Sequence, residues 1–222
     1  MLDETHQKHI VVSPHLDDAV LSSTWPILHH SAQVLTVFAG APDPGSPIGW
    51  WDAKNGVKDS TERVAERITE DIEALDLLGT QSAGRLNILE AQYREKPAAS
   101  AEFVEILQPL LDSATHVWGP AGMARHPDHW SVNEALRILA ARNDTKWSLR
   151  FYSEVPYCID EEWFALASRC SSTPPSGYRR LDAHSLAMKR SAVAAYKTQV
   201  GPLGLTLEAC GDIDPLGVER YS

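Results

Sequence analysis

The sequence predicts an α/β fold, a mostly parallel β-sheet with helices on both faces, contained in one domain spanning residues 1–222. Three observations predict it. Short β-branched runs alternate with stretches of helical periodicity. The chain has the length and average apolar content of one compact unit, at 222 residues and 43% apolar. Its two chemistry-bearing motifs each follow a strand and precede a helix.

Residues 10–12 (Ile-Val-Val) are expected to form the first buried strand, and residues 32–39 (AQVLTVFA) the second, ending at Gly40. Between them, residues 17–30 place Val20, Leu21, Trp25 and Leu28 at helical spacing, and Pro26 should kink or break the second half. Residues 41–58 carry Pro, Gly and two adjacent tryptophans without periodicity, the mark of a long surface loop. A strong helix follows over 60–78, with Val64, Ile68, Ile72, Leu75 and Leu78 on one stripe and Gly79 as its stop. Residues 86–89 read as a short strand, 101–111 as an amphipathic helix, 116–118 as a strand, 131–142 as a helix and 149–152 as a strand. Residues 158–184 look irregular, and 185–197 read as a late helix. This alternation implies right-handed crossovers and a Rossmann-like sheet, in which ligands bind beyond the carboxyl ends of the strands.

A net charge of -10 and the lack of a Lys/Arg run argue against a nucleic-acid partner. Cys158, Cys170 and Cys210 are far apart and form no CxxC pair, which fits reduced thiols in the cytoplasm. The polar start MLDETHQKH lacks the pattern of a signal peptide, and no apolar stretch approaches the roughly 20 residues that span a bilayer. The expectation is a soluble cytoplasmic chain without a membrane partner; a homo-oligomer is compatible with it.

The first motif is Ser13-Pro14-His15-Leu16-Asp17-Asp18. His15 and Asp18, three apart in a turn or first helical turn, point the same way, as two ligands of one ion must. Asp17 points elsewhere, beside the ion but uncommitted, where a carboxylate could take a proton from water. The second motif, His126-Pro127-Asp128-His129, also lies between strand and helix, so both can meet over one sheet edge. Together they supply a two-His, one-carboxylate set with open coordination positions, as catalytic zinc requires. Zinc there would acidify water and polarise a carbonyl, which makes amide hydrolysis feasible at neutral pH. The first β-α turn, SPHLDDA, has no GxGxxG, so a dinucleotide site is excluded.

H-x-D-D after the first strand plus H-P-D-H near mid-chain resembles the LmbE-like (PIG-L) family of zinc-dependent N-acetylglucosaminide deacetylases. The resemblance extends over Arg67, Glu70 and Leu78-Gly79, over YSEVPY (residues 152–157), and over KRSAVAAYKTQ (residues 189–199). Leu16 stands where the family's familiar form has proline. The resemblance implies an LmbE-like fold and Zn2+ bound by His15, Asp18 and His129, with Asp17 as general base. His126 would stabilise the oxyanion or protonate the leaving amine, Asp128 would orient one of the histidines, and Arg67 would contact substrate. The implied reaction removes an N-acyl group, N-acetyl above all, from an amino-sugar-containing small molecule. The rivals are an amidase for sugar-thiol conjugates and a sugar-binding module that has lost catalysis.

Trp51, with Trp50 and Asp52, offers a stacking face for a sugar ring, or else pins the loop to the body. Arg67 and Glu70 alone could be an i,i+3 surface pair. His29 and His30 read as ordinary helix-end histidines, and His6, His9, His116 and His184 receive no role.

Overall fold

The computed structural model describes residues 7–96, 99–123, 126–159, 176–205 and 216–222. Among the described residues, seven strands form one sheet: β1 (His9–Ser13), β2 (Gln33–Thr36), β3 (Ser82–Arg85), β4 (His116–Pro120), β5 (Ser148–Tyr152), β6 (Gly177–Arg180) and β7 (Val218–Tyr221). Their order is β3-β2-β1-β4-β5-β7-β6. The first five run parallel, whereas β7 pairs antiparallel with both β5 and β6. The chain therefore builds outward from β1 in one direction, returns, and continues from β4 in the other. The crevice between β1 and β4 is the switch point at which such sheets bind ligands.

The central strands are apolar because both their faces are covered. All of β1 is buried, and Val11, Val12, Val34 and Val117 are fully so. The helices are α1 (Asp18–Ser22), α2 (Thr24–His30), α3 (Trp50–Lys54), α4 (Ser60–Leu77), α5 (Ser100–Leu111), α6 (Pro127–Ala140), α7 (Ala183–Ala195) and α8 (Lys197–Val200). Helices α1, α2 and α4 pack against α7, while α5 and α6 pack together and α6 covers β4 and β5.

Several boundaries differ from the sequence expectation. The helix expected over 17–30 breaks at Ser23, not at Pro26. Pro26 lies in the first turn of α2, where its missing N–H has no helical partner to lose. The free N–H groups of Thr24 and Trp25 donate instead to the Glu219 carboxylate of β7, at 2.9 and 2.8 Å. Lys189 of α7 meets the same carboxylate at 2.6 Å, so this buried ion pair ties α2, α7 and the sheet together. The loop over 41–58 contains the short helix α3. Strand β3 forms at 82–85 rather than 86–89; Asn87 and Leu89 make only isolated bridges to Phe38 and Gly40.

Helix α6 begins at Pro127, four residues earlier than 131, because His126 caps it and proline suits its first position. Gly79 does end α4 with a positive φ of 67°. Strands β6 and β7 carry no alternation that marks them, since β6 is exposed throughout and β7 buries a glutamate. Cys158 is buried and free. Cys170, Cys210, His6 and most of the irregular stretch at 158–184 lie outside the described residues.

Candidate active site and metal centre

Both motifs rise from the carboxyl ends of the two strands that flank the switch point. At the end of β1, Ser13 Oγ donates to the His15 carbonyl at 2.6 Å and accepts from Ala19 N–H at 2.9 Å. This closes the turn over 14–18. Its fold is secured by Asp18, whose Oδ2 accepts the His15 backbone N–H at 2.8 Å. Leu16 is buried, and its carbonyl accepts from Tyr196 Oη at 3.0 Å.

His15 Nδ1, Asp18 Oδ2 and His129 Nε2 form a triangle whose three sides are each 3.2 Å. Carboxylates hold the far side of each ring. His15 Nε2 lies 3.0 Å from Asp128 Oδ2, and His129 Nδ1 lies 3.2 Å from Glu154 Oε1. With each imidazole donating its outward N–H to its carboxylate, the inward nitrogens can serve as lone-pair donors, the arrangement of metal-binding histidines. Two nitrogen lone pairs and a carboxylate oxygen at this spacing repel one another unless a cation sits among them. A triangle of 3.2 Å sides is one face of a tetrahedron around an ion about 2 Å from each atom, the distance expected for zinc. The donor set thus fits a divalent ion. A looser group, His15, His126 and His129, has ring nitrogens within 4.8 Å of one another. The set with Asp18 is tighter, and His126 Nδ1 is engaged by the Asp128 backbone N–H at 3.3 Å.

In the chain alone, burial lowers the His15 and His129 imidazoles, but the surrounding carboxylates outweigh it. His15 is held well above the usual histidine range and His129 at about 9. Burial and the adjacent Asp18 charge push the Asp17 carboxyl up to about 7. Burial and the neighbouring His15 and His129 push His126 down to about 3, so its ring is neutral. With Nδ1 accepting, its Nε2 carries the proton.

Asp128 is fully buried. Burial opposes its charge, yet His15, the Ala91 N–H and Arg94 hold it at about 2.

The triangle residues also line a cavity of about 130 Å³, together with Leu16, Asp17, Trp50, Trp51, Arg67, Gln92, His126, Val155, Tyr157, Tyr196 and Leu203. Arg67 and Glu70 are both buried, so they are not a surface pair. Arg67 donates to Glu90 Oε1 at 3.2 Å and to Asp52 Oδ1 at 3.1 Å. With its amide oxygen turned inward, Gln199 accepts from Arg67 Nε at 2.5 Å. Glu70 instead receives the backbone N–H and hydroxyl of Thr198. Asp52, fully buried and also reached by Tyr93 Oη at 2.6 Å, is what pins the long loop. That leaves Trp50 61% exposed and Trp51 part-exposed on the cavity wall.

Glu154, Arg94, Asp52, Glu90 and Gln199 carry no signal in local spacing. Glu154 and Gln199 do lie in the resemblance stretches YSEVPY and KRSAVAAYKTQ, and Asp52 follows the tryptophan pair, but nothing in those stretches marks their partners. His9, His30 and His116 stack near the opposite end of β1, with centroids 4.4 and 4.3 Å from His9, away from this site.

A mostly parallel sheet with a His-Asp-His triangle at its switch point defines an α/β fold with a candidate metal centre, and comparison narrows it. The profile of PIG-L, GlcNAc-PI de-N-acetylase, matches residues 10–140, and the chain belongs to this PIG-L (LmbE-like) family. The zinc-inhibited form of the teicoplanin deacetylase Orf2 superposes with a TM-score of 0.75 at 22% identity, covering 97% of this chain and 96% of that one. The A40926 pseudoaglycone deacetylase Dbv21 gives 0.69 at 24% identity, with 97% and 96% covered. N,N'-diacetylchitobiose deacetylase from Pyrococcus horikoshii gives 0.56 at 17%, with 89% and 74% covered. Comparison with curated proteins yields no match. Among the described residues, no helix is long and apolar enough to cross a membrane.

Proposed function

We propose that this chain is a zinc-dependent N-deacetylase that removes the acyl group, acetyl above all, from the amide of an amino-sugar conjugate. The 3.2 Å triangle of His15, Asp18 and His129, with Asp17 lining the same cavity, carries the reading. Family membership and the deacetylases of like fold support it. Zn2+ held by those three residues would supply Lewis acidity toward water and the amide carbonyl.

The chain's own groups do the rest. Asp17 accepts a proton as water adds to the amide carbon. His126, neutral and with its proton on Nε2, donates a hydrogen bond to the developing oxyanion. When the C–N bond breaks, Asp17 returns its proton to the leaving amine, so the products are a carboxylate and a free amine. Asp128 and Glu154 keep the two histidines in the tautomer that faces the ion. The cavity is smaller than the roughly 300 Å³ of a site for a drug-sized ligand, a size suited to the acylamino end of a conjugate. Trp51 and Trp50, which line the same cavity, then offer their ring faces to the sugar, and Arg67 lines it as well. The buried, unpaired Cys158 fits a reducing cytoplasmic setting.

The test is metal analysis of purified protein, together with amine release from a panel of N-acetylglucosamine conjugates, for wild type and Asp17→Asn. We expect one zinc in both and activity only in wild type. A variant with its metal and full activity would remove Asp17 from the mechanism, and a wild type without metal would end the reading.

A further inference from the structure

Arg94 follows a 3₁₀ turn (Ala91–Tyr93) and does not line the cavity. Its Nη2 donates to Asp128 Oδ1, and its guanidinium lies 4.9 Å over the Phe38 ring. Its Nε and Nη1 are buried and have no hydrogen-bond partner among the described residues. Burying a cation with two of three nitrogens unmet is costly unless its charge is used. Here the group that uses it is Asp128.

Asp128 is in turn the junction of three chain segments. Arg94 occupies Oδ1, while the Ala91 N–H at 2.8 Å and His15 Nε2 at 3.0 Å share Oδ2. Without Arg94, one carboxylate oxygen would lose its only side-chain donor among the described residues and the group could turn away from His15. Phe38 lies beneath both partners, since its ring is also 5.9 Å from that of His15. The cation and the imidazole therefore rest against one buried apolar ring.

We infer that Arg94 is a positioning residue of the metal centre, which fixes Asp128 so that Asp128 fixes His15 toward the ion. The inference rests on the metal reading above. It is tested by titrating the purified protein with Zn2+ and Co2+ against a competing chelator, with the Co2+ absorption spectrum recorded alongside thermal stability. Arg94→Met keeps the apolar stem over Phe38 and deletes the charge, and it should weaken ion affinity about 10- to 100-fold and alter the Co2+ spectrum. Arg94→Lys should recover part of the loss, and in an Asp128→Asn background Arg94→Met should add little. Wild-type affinity and spectrum in Arg94→Met overturn the inference. If that variant unfolds, Arg94→Gln is judged by the same titration and the same criterion. A wild-type chain that binds no divalent ion fails the metal reading itself, a result distinct from loss confined to the Arg94 variants.

Discussion

His15 Nδ1 and His129 Nε2 stand 3.2 Å apart although 114 positions separate them in the chain, and each ring is backed by a buried carboxylate. The surrounding carboxylates favour a proton on each imidazole, raising His15 well above the ordinary 6.5 and His129 to about 9. Each must lose that proton to ligate. Zn2+ binding at pH 7 should release about two protons, and affinity should rise with pH. Calorimetry in buffers of different ionisation enthalpy measures this. A raised folded-state pKa gives stability that is present below the unfolded value and lost as pH rises through the folded one. The melting temperature of metal-free protein should therefore fall between pH 6.5 and about 9, and a rise over that window would contradict the assignment.

Asp17 sits at about 7 in the metal-free chain, and a nearby dication favours its ionised form. The ascending limb of kcat/KM against pH should accordingly lie at or below pH 7. Asp17→Asn should lower kcat by about 10²- to 10⁴-fold with metal content unchanged. A pH-rate profile and zinc stoichiometry on the same preparation check both.

Arg67 and the tryptophans should separate cleanly. Arg67→Ala strands the fully buried Asp52 and should cost about 3–5 kcal/mol in denaturant unfolding, with loss of the loop that carries Trp51. Trp50→Ala, at a 61% exposed ring, should leave stability alone and raise KM about three- to tenfold. Equal stability losses in the two variants would refute this division.

Lys189 and Glu219 meet at 2.6 Å with both side chains buried. Lys189→Met should cost about 3–5 kcal/mol because it leaves the Glu219 charge in the interior. Urea unfolding of variant and wild type gives the figure, and a loss under 1 kcal/mol would show the pair to be dispensable.

Away from the site, burial and then the adjacent His116 and His30 push His9 down to about 4. A depressed imidazole contributes stability that is present above the ordinary 6.5 and lost as pH falls through the folded value. Wild type should lose melting temperature between pH 6.5 and 4. His9→Phe keeps the ring stack and should flatten that slope; an unchanged slope would place the acid sensitivity elsewhere.

Much of the candidate site was legible from local spacing. A strand followed by H-x-x-D, and another followed by H-P-D-H, determine which side chains face the sheet's carboxyl edge, because short turns leave few directions open. The order of those motifs, the α/β class and Gly79 as a helix stop follow from the same short-range rules.

What the sequence by itself could not decide is what stands behind those residues. Glu154 on His129, Arg94 on Asp128, and the set of Asp52, Glu90 and Gln199 around Arg67 come from distant segments with no common period. Burial, and not spacing, selects them: each charge in the interior needs a partner that only the folded chain brings near. The same cause split the first helix at Ser23 and hid β7, since Glu219 reads as a surface residue until the tertiary structure places two helix N–H groups and Lys189 around it.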